Sequence, residues 1–399
     1  MWPRPTVALY DPDRSVWLSF RRPAVVIETY DPSAVRPALR EVERTVEATG
    51  YTAAGLIAYE AAPAFDAALS VRSRPDVPLV WFGLFDATEI VHALEPPLRD
   101  ERPRGWTPSI EWPTYRRAIE DVKGHIARGE TYQVNYTLRL RSPFAGNPWN
   151  FFRSLVDGQN ARYAAYVETD RHAVCSASPE LFFERDGQTL RSKPMKGTAP
   201  KGASAAETRA NADWLHRSAK NRAENAMIVD MIRNDFGKVA QVGSVRVPKL
   251  FEVESYPTVL QMTSTVEART SASFVETLDA LFPCASITGA PKARTMEIIA
   301  NMEADPRGAY TGAIGFLAPG NRARFSVAIR TAVVDLVEQG AEYGVGGGIV
   351  WDSDPADEYE ECQIKARVLA GEANTRARFE SDAGLSPTAE AAGSTMQSP

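Results

Sequence analysis

Apolar residues at Ile119, Val122 and Ile126 recur at the spacing of one helix face and predict a helix over Tyr115–Gly129. Another helix is predicted over Ala34–Thr49. Short β-like runs lie around it, at Thr6–Tyr10, Val16–Phe20, Ala24–Glu28, Gly55–Tyr59 and Leu79–Phe85. Further strands are expected at Val134–Leu140, Tyr163–Val167 and Ala173–Ser176. A long helical stretch runs from Ala205 to Val239. Strands then recur at Gly312–Leu317, Ser326–Asp335 and Tyr343–Val350, and a last helix spans Pro355–Ala370 with proline in its first turn. Helices and strands mix without a regular βαβ beat, so the expected class is α+β.

Prolines cluster in Glu95-Pro96-Pro97 and again in Arg102-Pro103-Arg104-Gly105, which marks residues 91–114 as a connector. The expected organisation is an N-terminal α+β scaffold over 1–100, a catalytic region over 115–370 and a disordered tail over 372–399. The 399 residues are 44% hydrophobic and 24% charged, enough for a large core and too apolar for wholesale disorder. The formal charge of −6 lacks the basic footprint of a general nucleic-acid binder. No run approaches the roughly 18 apolar residues of a membrane span, and no apolar leader follows Met1. A cytoplasmic globular protein is the expectation. Cys175, Cys284 and Cys362 are too few and scattered for a disulfide framework, and none has the glycine-flanked setting of a nucleophile elbow. No two of His92, His125, His172 and His216 sit at metal-ligand spacing, which argues against zinc.

Glu358, Glu361 and Lys365 share one face of the last helix. They read as an ordinary surface ion pair or as a hard-cation site with oxygen ligands. Glu224 precedes the apolar run Ala226–Val229 and is either solvated at a helix rim or partnered. Lys196 lies beside Gly197, where backbone can approach a ligand; a lone lysine is ordinarily a solvated charge. Tyr343–Ile349 is glycine-rich but is no dinucleotide fingerprint, because Ile349 stands where glycine is required.

As a set, these segments resemble the chorismate-utilising enzymes over about residues 115–370. The resemblance rests on Gly129–Asn135, Ser176–Leu181, Pro194–Thr198, Arg222–Asn225 through Arg233–Asp235, Ile287–Lys292, Ala328–Arg330, Gly346–Gly348 and Glu358 to Lys365. It implies two packed, mainly antiparallel sheets wrapped by helices around a cleft, with the N-terminal region intertwined with the rest. It implies Mg²⁺ as cofactor, with Glu224 and Glu361 as ligands and Glu358 nearby through water. It further implies that Tyr310, Arg330 and Lys365 hold the carboxylates of chorismate. Gly197, Thr198, Gly346, Gly347 and Gly348 complete the cradle, and Thr288 and Gly289 line it.

Two positions speak to the branch. Water-using members carry a lysine base where this chain has Gln133, which points to an amino-transferring member. Lys196 stands where aminodeoxychorismate synthases typically carry lysine and anthranilate synthases alanine. The resemblance therefore implies amination of chorismate at C4, through a Lys196 adduct at C2 and with Glu180 as general acid. Gln261 stands where some relatives carry a histidine that assists aromatisation. Ammonia is expected from a glutamine amidotransferase subunit. Rival readings are amination at C2, as in anthranilate or 2-amino-2-deoxyisochorismate synthases, and a silent chorismate-binding subunit.

Overall fold

The computed structural model describes residues 4–369 apart from 98, 158–160 and 256–258. The expected tail over 372–399 lies outside the described residues. Among the described residues, two antiparallel sheets of ten strands each pack face to face. The first runs in the order Gly289–Ala290, Gln133–Pro143, Gly340–Ile349, Thr331–Asp335, His172–Ser176, Ala165–Glu168, Val7–Asp11, Val16–Phe20 and Glu89–Val91, with Thr107–Pro108 beside Gln133–Pro143. The second runs Met195–Pro200, Val259–Arg269, Thr189–Lys193, Leu181–Asp186, Arg322–Val327, Ala313–Ala318, Thr52–Ile57, Val80–Phe85 and Val25–Thr29, with Arg246–Ser255 beside Val259–Arg269. Both sheets draw strands from either side of residues 91–114. Val7–Asp11 pairs with Ala165–Glu168, and Thr52–Ile57 pairs with Ala313–Ala318.

Strand alternation builds three apolar layers. Between the sheets, Leu9, Leu18 and Phe20 of the first meet Leu56, Trp81 and Phe85 of the second. The next residues along those strands, Ile57, Val80, Phe82 and Leu84, turn outward. There they meet the helix Val35–Thr49 through Val35, Leu39, Val42 and Val46. The helices Trp112–Ala127, Pro148–Val156 and Pro355–Ala366 cover the outer face of the first sheet. A strand such as Val80–Phe85 is thus apolar on both faces, which is why it reads as an unbroken hydrophobic run. The α+β expectation of two sheets wrapped by helices is what is observed.

Four elements differ from the sequence expectation. The long helix over Ala205–Val239 is two, Ala205–Arg217 and Ala219–Gly237, because Ser218 leaves helical geometry and its hydroxyl accepts from Asn221 N as an N-cap. The strand expected over Ser326–Asp335 is also two, Arg322–Val327 in the second sheet and Thr331–Asp335 in the first. Ala328–Arg330 carries the chain across, with Arg330 at φ 51°. The Gly55–Tyr59 run ends as a strand at Ile57, and a 3₁₀ turn begins at Tyr59. The last α-helix stops at Ala366 and tightens to 3₁₀.

Candidate functional site

Gly340–Ile349 pairs along its full length with residues 134–143, with Gly346 opposite Thr137, Gly347 opposite Tyr136 and Gly348 opposite Asn135. The glycines keep space open. A Cβ on Gly348 would stand 2.7 Å from Gln133 Nε2 and 3.2 Å from Lys196 Nζ. One on Gly347 would stand 2.9 Å from Glu358 Oε2, and one on Gly346 would strike the backbone of Tyr136 at 2.2 Å. Gln133 is buried, and its Nε2 has no hydrogen-bond partner. A buried amide donor left unmade costs about 1–3 kcal/mol, and this one borders the space that Gly348 leaves open.

Glu180 sits where the chain passes from His172–Ser176 of the first sheet to Leu181–Asp186 of the second. Its backbone is fixed: Glu180 N donates to Ser178 Oγ, and Val327 N donates to Glu180 O. The carboxyl is 5% exposed and its Oε1 has no partner. Burial pushes its pKa up to about 7, against the opposing pull of a hydrogen bond with Ser286 and the charge of Lys196. Lys196 lies on Met195–Pro200, where the pairing with Val259–Arg269 shifts register between Met195 and Thr198. Gly197 at φ +98° makes that irregularity, and a Cβ there would meet Asn221 at 3.1 Å. Buried Asn225 Nδ2 donates to Lys196 O at 3.4 Å. Thr198 Oγ1 donates to Gln261 Oε1 at 3.3 Å.

Glu358, Glu361 and Lys365 project from Pro355–Ala366, whose N-cap is Asp354. Lys365 Nζ donates to Gly346 O at 2.8 Å and pairs with Glu361 Oε1 at 2.7 Å. Ser353 Oγ donates to Glu358 Oε1 at 2.7 Å. Burial, together with the charge of Glu361, raises the Glu358 carboxyl above its ordinary value. Burial also disfavours charge on Glu361, but Lys365, Lys196 and Lys220 outweigh it and hold that carboxyl below the ordinary range. The charge of Lys196 therefore bears on both Glu180 and Glu361. Glu224, half-buried on Ala219–Gly237, does not close with Glu358 and Glu361 into a group of ligand atoms within 4.8 Å. Among the described residues, Asp76, His172 and Asp335 do. In donor chemistry the three glutamates suit Mg²⁺, since every donor is a hard oxygen.

The other expected residues lie on neighbouring elements. Thr288 is buried, its hydroxyl donating to Ala285 O at 3.2 Å, and its carbonyl accepts from Asn135 N at 2.8 Å. Gly289 at φ +148° pairs with Val134, and a Cβ there would strike Gln133 O at 2.0 Å. The Tyr310 ring packs where Gly344 lacks a side chain, beneath the Arg139 guanidinium 5.0 Å away. Arg330 is half-buried and holds a positive φ of 51°.

Sequence reasoning misses the groups that tie these elements together. Arg307 is buried and pairs with Glu303 at 2.7 Å, while donating to Asn135 O and Ile287 O. Glu303 Oε1 also accepts from Thr137 N and Oγ1. Glu60 accepts from Arg307 N and Gly308 N, and burial pushes its pKa up to about 7. The only signal in the chain is the four-residue spacing of Glu303 and Arg307, which is also that of a surface pair. Ser286 and Lys220 are missed too; Lys220 lies one helical turn before Glu224.

Residues 5–371 match the family model described as chorismate binding enzyme. The chain is 45% identical over 260 residues to the aminodeoxychorismate synthase of Streptomyces pristinaespiralis, covering 64% of this chain and 36% of that protein. It is 40% identical over 268 residues to aminodeoxychorismate synthase component 1 of Klebsiella aerogenes, covering 66% and 59%. It is 43% identical over 256 residues to anthranilate synthase component 1 1 of Haloarcula marismortui, covering 63% and 51%. The aligned part thus spans 36% to 59% of these curated relatives. The solved structure of anthranilate synthase component I from Streptococcus pneumoniae superposes with a TM-score of 0.78 at 22% identity, covering 92% of this chain and 93% of that one. That likeness concerns the fold alone.

Proposed function

The chain belongs to the chorismate binding enzyme family, and on that premise we propose that it aminates chorismate at C4, the reaction of an aminodeoxychorismate synthase component I. The observation that carries the reading is that Lys196 Nζ reaches the space Gly348 leaves open, 3.2 Å from where a Cβ would stand, with its charge acting on the buried acid Glu180. The aminodeoxychorismate synthases among the relatives support it.

In this mechanism the Lys196 amine forms a bond to C2 of the ring. The two ring double bonds shift, the C4–oxygen bond breaks, and Glu180 gives its proton to the departing hydroxyl. Ammonia then bonds to C4, the double bonds shift back, and the lysine leaves C2 as an amine. A covalent intermediate splits one hard displacement into two easier ones. Glu180 is suited to its part because burial keeps the carboxyl protonated towards neutral pH. Arg330, Tyr310 and Lys365 hold the substrate carboxylates, and an arginine fork suits one of them bidentately. Gln133 offers no base to activate water, which favours ammonia as nucleophile. Glu224, Glu358 and Glu361 are the residues that would hold Mg²⁺, which when bound makes the ring carboxylate a better electron sink.

The ammonia source is a glutamine amidotransferase partner. This chain's cysteines are poor glutaminase nucleophiles, since burial pushes Cys284 up to about 12 and Cys362 up to about 11. The comparable identity to an anthranilate synthase favours C2 amination as the second reading. Incubation with chorismate, Mg²⁺ and ammonium, with product identified by mass and fluorescence, separates the two. A 4-amino product supports the proposal; anthranilate overturns it in favour of the rival.

A further inference from the structure

His172 opens the strand His172–Ser176, and Asp335 closes the strand Thr331–Asp335 directly opposite it. These are the strand ends away from Ser176 and Thr331, which lead towards Glu180 and Arg330. His172 is 2% exposed, and neither of its ring nitrogens has a hydrogen-bond partner. A buried imidazole left without partners is uncommon and costly. Its Nε2 faces Asp335 Oδ2 at 3.6 Å and Asp76 Oδ2 at 4.0 Å. One ligand atom from each of the three residues falls within a 4.8 Å cluster.

We propose that Asp76, His172 and Asp335 form a second cation site, selective for a borderline divalent transition metal such as Zn²⁺ and separate from the cleft. Zinc bonds of about 2.1 Å to nitrogen and oxygen give a tetrahedral edge of about 3.4 Å, a few tenths shorter than the two distances from His172 Nε2, and the two carboxylates, whose ligand atoms lie within 4.8 Å, draw in to bind. One imidazole with two carboxylates suits zinc or a neighbouring transition ion better than Mg²⁺ or Ca²⁺, which take oxygen alone. Three protein ligands leave a position for water. Asp335 is already oriented, because its Oδ1 accepts from Val337 N and Glu338 N at 2.9 Å each. The surrounding charges are Arg171, which donates to Asp335 Oδ2 at 2.8 and 3.0 Å, and Arg74, which lies 3.6 Å from Asp76 and also pairs with Glu342. Arg171 is 41% exposed and free to swing out, so it competes with the metal for Oδ2. Local spacing of histidines does not reveal this site, since its ligands converge from positions 76, 172 and 335.

The test is calorimetric titration of the full chain with Zn²⁺ in excess Mg²⁺, repeated with Co²⁺ for its visible absorption. A Glu358→Gln/Glu361→Gln background removes binding by the cleft carboxylates. One ion per chain is expected, with a four-coordinate cobalt spectrum and a rise in melting temperature. In that background Asp76→Asn, at a partly exposed loop position, weakens binding at least ten-fold and abolishes the thermal rise, and introduced alone into the wild type it leaves chorismate turnover unchanged. Arg171→Ala moves affinity the other way and tightens it. Equal affinity with and without Asp76→Asn in that background, or no ion bound there, overturns the proposal.

Discussion

A Cβ placed on Gly348 falls 3.2 Å from Lys196 Nζ, so the missing side chain of one residue is the space into which the other reaches. Gly348→Ala is therefore expected to leave the fold intact, because its other near contact is the flexible end of Gln133 at 2.7 Å. Turnover falls by about 10- to 100-fold, the scale on which small misplacement of reacting groups acts. Steady-state kinetics together with an unchanged melting temperature checks this. Wild-type turnover in the variant removes Lys196 from the reaction path.

Lys196→Ala should abolish 4-amino product while chorismate still binds, since Arg330, Tyr310 and Lys365 remain. Lys196→Arg keeps the charge and loses the nucleophile, so it should be equally inactive. Product analysis beside a binding titration distinguishes this from a purely electrostatic role, in which arginine would restore activity.

Glu180 must be protonated to act as acid, and its carboxyl titrates near 7 in the fold. Turnover should therefore fall as pH rises through that value. Stability shares the sign. The folded state holds this proton up to about pH 7, while the unfolded chain releases it near 4.5, so the contribution is full at low pH and lost as pH rises. Glu180→Gln removes the penalty. It should raise stability at pH 8 by up to about 3 kcal/mol relative to wild type and cut turnover by about 10²–10⁴-fold. Denaturant unfolding at pH 5 and pH 8 measures the first, and kcat the second.

Glu303→Gln leaves Arg307 as an uncompensated buried charge and should cost about 3–5 kcal/mol. Arg307 also bonds Asn135 O and Ile287 O, so the variant should raise KM for chorismate more than it lowers kcat. A variant as stable as wild type in guanidinium would refute the buried-pair account.

Much of the fold is legible in hydrophobic pattern because buried strands and amphipathic helices announce themselves; Val16–Phe20 reads as a strand with its observed bounds. Arg246–Ser255 does not, because it is an edge-type strand with little full burial, and its charged residues mask alternation. The break at Arg330 is invisible since both halves of Ser326–Asp335 are apolar and differ only in which sheet they join. In the cleft, the Glu358, Glu361 and Lys365 face follows from helical spacing. What surrounds Lys196 does not, because Glu180, Gly348 and Glu361 reach it through tertiary folding.

Arg330 stands where the chain leaves one sheet for the other. Sliding of the two sheets past each other strains that short span, as it does the crossing at Glu180, and turns the guanidinium. A ligand that grips Arg330 therefore acts as a rivet between the layers. Its binding should slow amide exchange at Thr311, whose N donates to Ala328 O at 2.8 Å, and at Ala328, whose N donates to Gly312 O at 2.9 Å, even though neither needs to touch the ligand.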